Sequence, residues 1–119
     1  MGNSDGPAKF YAAYKAKYGE PGFLSGQGYV SVRTLAKALE ASGSTEGPKL
    51  RDALAAVELT AADGNIMPYK AVKFDETGQN IYANAPFAQV GDKGESFLVS
   101  PPEYAVRKVK IPMPKWNEK

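Results

Sequence analysis

The sequence predicts an α/β domain in which about three helices are followed by an antiparallel β meander. Apolar residues recur at helical spacing through the first half of the chain, with Gly19 and Gly43 closing two of the runs. From Asp63 to Val90 the pattern changes to short extended segments around the turn-forming Phe74-Asp75-Glu76-Thr77-Gly78. A chain of 119 residues, 43% hydrophobic and 24% charged, has the makeup of one globular domain able to bury a core.

The first helix is expected over residues 6–18. Asp5 is placed to cap it, Pro7 suits its first turn, and Phe10, Tyr14 and Tyr18 recur along it beside Tyr11. This aromatic row reads either as a stacking surface or as one apolar stripe with wet hydroxyls, and the stripe is the plainer reading. After the Glu20-Pro21-Gly22 turn, Phe23-Leu24 is predicted to form a short buried strand. Ser25 is expected to cap a second helix over 26–42, with Tyr29, Val32, Ala36 and Leu39 on its inner face and Leu35 beside them. Ser44 to Pro48 opens a third helix over 47–57, with Leu50, Leu54 and Val57 inward and Lys49, Arg51, Asp52 and Glu58 outward. Helices with one apolar side need a partner layer, most simply a sheet.

Residues 60–65 read as loop. Strands are expected at 71–74, 81–90 and 96–99, joined by Asp75-Glu76-Thr77-Gly78 and Gly91-Asp92-Lys93-Gly94, with Ile81, Ala83, Ala85 and Phe87 sharing a face. Pro68 suits the start of an edge strand. The tail, 101–119, is basic and proline-rich, with a short helical turn expected in 103–108 and an extended end pinned by Trp116.

Composition excludes several chemistries. With no His and no Cys there is no imidazole or thiolate zinc site, thiol nucleophile, Ser-His-Asp triad or disulfide. Asp75 and Glu76 are adjacent in an exposed turn, and so lack the desolvation that would separate their pKa values for acid/base work. No catalytic residue, metal site or cofactor is therefore expected, and the chain is not read as an enzyme. A net charge of +2 is too small to call for nucleic acid, and no apolar run approaches the roughly 20 residues that span a bilayer. Nor does Met1-Gly2-Asn3-Ser4 lead into the apolar core of an export signal.

One stretch offers a binding site. A strand entering a helix at Ser25-Gly26-Gln27-Gly28 would expose backbone N–H groups and the positive end of the helix dipole. Two glycines would let a ligand approach closely, although no dinucleotide or phosphate-loop signature is complete. A plain helix entry and a cleft lined by Gln27 and Tyr29 are both compatible with these residues.

Four segments in this order resemble the C-terminal part of type I periplasmic solute-binding proteins of the Leu/Ile/Val-binding class. They are Phe10 to Gly19; Gly28-Tyr29 leading to Leu35 through Ser44; Leu50-Arg51-Asp52-Ala53-Leu54; and Pro68 to Val90 with its Val72-Lys73-Phe74-Asp75-Glu76-Thr77-Gly78-Gln79-Asn80 core. Pro112-Met113-Pro114-Lys115-Trp116 is similar to the ends of one branch of that class. The resemblance implies part of a two-lobed protein that closes over a branched-chain amino acid, amide or aromatic acid and delivers it to an ABC permease, in the periplasm. It implies that the other lobe and the strands before Phe10 lie outside this chain, which alone is not ligand-competent. It also carries Tyr29 to the cleft, with Gln27 near it. Val30 follows where the class often has Asp, which leaves amides and aromatic acids open. Uncovered sheet edges then predict a homo-oligomer. The competing reading is an independent small sensor or interaction domain.

Overall fold

The computed structural model describes residues 5–22 and 24–112. It divides into two compact units, one ending at Ala83 and the other beginning at Asn84.

The first unit holds three helices and one small sheet: α1 (Gly6–Tyr18), α2 (Ser25–Ser42), α3 (Gly47–Ala56), β1 (Glu58–Thr60) and β2 (Ala71–Lys73). Leu59 of β1 lies opposite Val72 of β2 in the antiparallel pair, so their side chains share one face. Val30 of α2 closes on that face to form the core, and Ile66, Met67, Tyr69 and Phe74 pack around it.

The strip that α2 buries differs from the one its sequence predicts. Val30, Thr34 and Ala38 are buried, whereas Val32 is 67% exposed, Leu35 41% and Tyr29 37%. At about 100° per residue, the predicted face is centred roughly opposite the buried one. Both sides of α2 carry apolar residues, and spacing alone favours the larger ones. The two-stranded sheet accepts the narrow strip in which Thr34 satisfies its own hydroxyl by donating to the Val30 carbonyl at 2.8 Å.

Caps also depart from expectation. Asp5 and Leu24 occupy the N-cap positions of α1 and α2, and neither helix has a side-chain cap. Ser25 lies inside α2, not ahead of it. Leu24 is in a turn and 67% exposed, so it forms no buried strand; its predicted partner Phe23 lies outside the described residues. Gly19 and Gly43 do close α1 and α2, at φ of 83° and 57°.

Two strand predictions are corrected. Val57 is already extended and leads directly into β1, where a loop was expected from residue 60. Three residues are too few to show alternation, and β1 exists because β2 pairs with it. The 81–90 strand shrinks to β3 (Phe87–Val90). The Asp75–Gly78 turn forms, with Phe74 bridged to Asn80, but the chain then bends away. The Asn80 side chain accepts the N–H groups of Lys73 at 3.2 Å and Tyr82 at 3.1 Å, and Ala83 donates to the Asn80 carbonyl at 3.1 Å. Pro86, with no N–H, cannot extend the pairing. Ile81 and Phe87 are consequently 50% and 67% exposed and do not share an inward face.

The second unit is a hairpin of β3 and β4 (Ser96–Ser100), with a register shift between Phe87 and Ala88. The strands thus form two separate antiparallel pairs in place of one meander. The helical turn expected in 103–108 is a 3-10 turn at Pro102–Tyr104. The expected extended end with Trp116 lies outside the described residues.

Candidate functional site

The start of α2 is held between α1 and the loop linking β1 to β2. Along α1 the rings of Phe10 and Tyr14 lie 5.6 Å apart and those of Tyr14 and Tyr18 5.2 Å, the row that four-residue spacing produces. Phe10 meets Tyr29 at a ring-centroid distance of 5.1 Å and a tilt of 46°. This is the aromatic contact that joins α1 to α2. No residue of α1 is fully buried, so Phe10 and Tyr14, both half-buried, are the inward positions of an otherwise wet helix.

On the other side, Gly26 faces the loop. A Cβ at that position would stand 3.7 Å from both Ile66 Cδ1 and Met67 Sδ, so the helix entry and the loop are in close contact. The loop keeps its shape through Asn65, which is 3% exposed. Its amide donates to the Tyr69 carbonyl at 2.8 Å, and its side-chain oxygen accepts the Met67 N–H at 3.1 Å. Burial pushes the Tyr69 phenol above its ordinary pKa.

Gln27 is exposed on the first turn of α2, and Tyr29 follows with its ring partly open and braced by Phe10. The two are near neighbours on one helix end, where first-turn N–H groups point outward along the dipole. Together they present an amide, a phenol and backbone donors. These are groups of the kind that fix a small molecule's orientation through hydrogen bonds and stacking. Asp75 serves structure: its carboxylate accepts the Thr77 hydroxyl at 2.7 Å and the N–H groups of Thr77 and Gln79 at 2.8 and 3.0 Å. Those bonds, the Thr77 hydroxyl foremost, lower its pKa. Among the described residues no three His, Cys, Asp or Glu side chains gather as a metal-binding group.

Sequence reasoning missed Phe10 as the support of Tyr29, and the Ile66–Met67 loop beside Gly26. The aromatic spacing of α1 was visible, but which helix it would touch was not. A cleft of about 420 Å3 lies in the second unit and includes neither Gln27 nor Tyr29.

A family model described as periplasmic binding protein matches residues 2–95, well over half of the chain. The chain belongs to the periplasmic binding protein family. The match takes in the described part of the first unit and β3, and ends just before β4. As a periplasmic binding protein of type I, the chain has a role in solute binding, in a family that is generally non-enzymatic. Its three helices and paired antiparallel strands are those of part of a periplasmic binding protein lobe. Among the described residues no helix is long and apolar enough to cross a membrane.

Proposed function

We propose that this chain serves an ABC uptake system of the Leu/Ile/Val-binding class, in the periplasm, as part of a substrate-binding protein. Its solute is a branched-chain amino acid, an amide or an aromatic acid, held as two lobes close and then passed to a permease. The observation that carries this reading is the family match over a stretch that includes the α2 entry, where Tyr29 is braced on Phe10 with Gln27 beside it. In this reading Tyr29 stacks on or hydrogen-bonds the solute, and Gln27 offers its amide. Closure is a population shift driven by contacts made only in the closed state.

A thermal-shift screen of the three solute classes on the gene product as the cell makes it tests the proposal. A ligand that binds only the folded form raises Tm, by about 2.7 kcal/mol of stabilisation at a hundredfold excess over Kd. Tyr29→Ala should remove most of the response to the cognate solute. An unchanged response in Tyr29→Ala refutes the site, and no response to any class refutes the solute assignment.

The exposed Val32 and Leu35 on the unburied side of α2 support self-association of the isolated chain. Sedimentation across a concentration series checks it: Val32→Glu should shift the chain toward monomer, and a concentration-independent monomer rules it out.

A further inference from the structure

In the second unit, the segment after the 3-10 turn folds back over one face of the β3–β4 hairpin. Gln89 and Phe97 are register partners, so their side chains project from the same face, and Val99 follows Phe97 on that face. The returning segment is fastened at two points. Near its start, the Val106 N–H donates to the Leu98 carbonyl at 2.9 Å. Further on, the Gln89 amide bonds both backbone groups of Lys110, donating to the carbonyl at 3.0 Å and accepting the N–H at 2.8 Å. Between these points the Arg107 guanidinium lies over the Phe97 ring, 3.3 Å from its centroid.

Beneath this segment is the cleft of about 420 Å3, within the size range of small-molecule sites. Phe97 and Val99 supply an apolar floor, and Arg107, Lys108 and Lys110 surround it with positive charge against the carboxylate of Asp92. Among the described residues none of these three cations forms an ion pair. The Glu95 carboxylate also lies close, beside Gly91 and the Phe97 ring, with one oxygen accepting the Lys93 N–H at 2.8 Å, so three cations face two carboxylates. A guanidinium stacked on an aromatic ring keeps its in-plane N–H groups for a bidentate acceptor.

We propose that this cleft binds a small organic carboxylate, its two oxygens on Arg107 and its apolar body against Phe97 and Val99. Lys108 and Lys110 add long-range attraction. Phe97, Val99, Arg107, Lys108 and Lys110 all lie beyond residue 95, where the family match ends, and neither Gln27 nor Tyr29 lines this cleft.

NMR titration of the whole chain with benzoate, and in parallel with inorganic phosphate, tests this. Benzoate should give saturable shifts at the Phe97 and Lys110 amides and at Arg107 Nε–H, and should bind more tightly than phosphate. Arg107→Gln should weaken benzoate by roughly tenfold, the loss expected for a charge-assisted bidentate pair. Should that variant lose its dispersed spectrum, Lys108→Gln/Lys110→Gln replaces it, because the link of Lys110 to Gln89 is through the backbone; it should weaken benzoate by roughly twofold to threefold at low salt and less at high salt. Absence of saturable shifts, phosphate binding as tightly as benzoate, or undiminished benzoate affinity in the variant overturns the proposal.

Discussion

Lys37 and Asp63 meet at 2.8 Å, joining the middle of α2 to the loop that leaves β1. Lys37 also donates to the Glu58 carbonyl at 2.8 Å, and the other Asp63 oxygen accepts the Thr60 N–H and hydroxyl at 2.9 and 2.8 Å. Nearby, Arg33 donates to the Asp63 carbonyl at 2.7 Å. One side of α2 is thus bonded to the start of a three-residue strand and to its exit loop, and Asp63 of that loop holds the strand's end at Thr60. This network anchors the strand whose Leu59 completes the core.

Asp63 makes that anchorage pH-dependent. The Lys37 hydrogen bond first, and the Thr60 N–H and hydroxyl after it, hold the Asp63 carboxyl well below its ordinary pKa. Because the folded value is depressed, the contribution is fully present above the unfolded pKa of about 4 and is lost as pH falls through the folded value. Asp63→Asn should lower stability at neutral pH by roughly 1–2 kcal/mol, a range that allows for partial solvent exposure. It should also flatten the acid limb of a Tm-against-pH profile below about pH 4. An acid limb as steep as that of the parent chain would show that Asp63 does not supply it.

Gly64 sits at φ of 102°, and a Cβ there would lie 3.0 Å from Arg33 Nε. Gly64→Ala therefore combines backbone strain with displacement of Arg33, and should cost roughly 1–3 kcal/mol in urea denaturation. In an Arg33→Ala background the cost should shrink, since only the backbone part remains. Equal costs in both backgrounds would mean that the close approach contributes nothing.

Leu59 is 1% exposed and belongs to a small core with Val30 and Val72. Leu59→Ala should destabilise the chain by about 2–5 kcal/mol, whereas Val32→Ala, on the open side of α2, should stay within roughly 0.5 kcal/mol. Denaturant midpoints measure both. A reversed order would restore the inner face that sequence spacing favoured.

The Asp75 turn provides a local test. Asp75→Ala should speed hydrogen exchange at the Thr77 and Gln79 amides and leave Leu59 protected, since the bonds lost are confined to the turn. Exchange loosening at Leu59 as well would make this turn part of the core's cooperative unit.

Elements whose signal is local could be read from the chain directly. α1 and α3 follow from their spacing and their prolines, and the Asp75-Glu76-Thr77-Gly78 turn from Asp75, whose side chain closes it, and from Gly78 at φ of 81°. The three-residue β1 was not legible, because its identity rests on β2 across an intervening loop. The early end of the 81–90 strand depends on which N–H groups the Asn80 side chain captures, a choice set in space. At the candidate site, Gln27 and Tyr29 could be picked out as a glycine-rich helix entry. Their support could not, since Phe10 reaches Tyr29, and Met67 reaches the neighbouring Gly26, from distant parts of the chain.

What the sequence by itself determined is the alternation of helix formers and turn residues, and the absence of imidazole and thiol chemistry, because these follow from nearest neighbours and composition. Only the tertiary structure decided which side of α2 becomes core. Apolar residues occupy both sides of that helix, and the burial of Val30 depends on where Leu59 and Val72 bring their shared face.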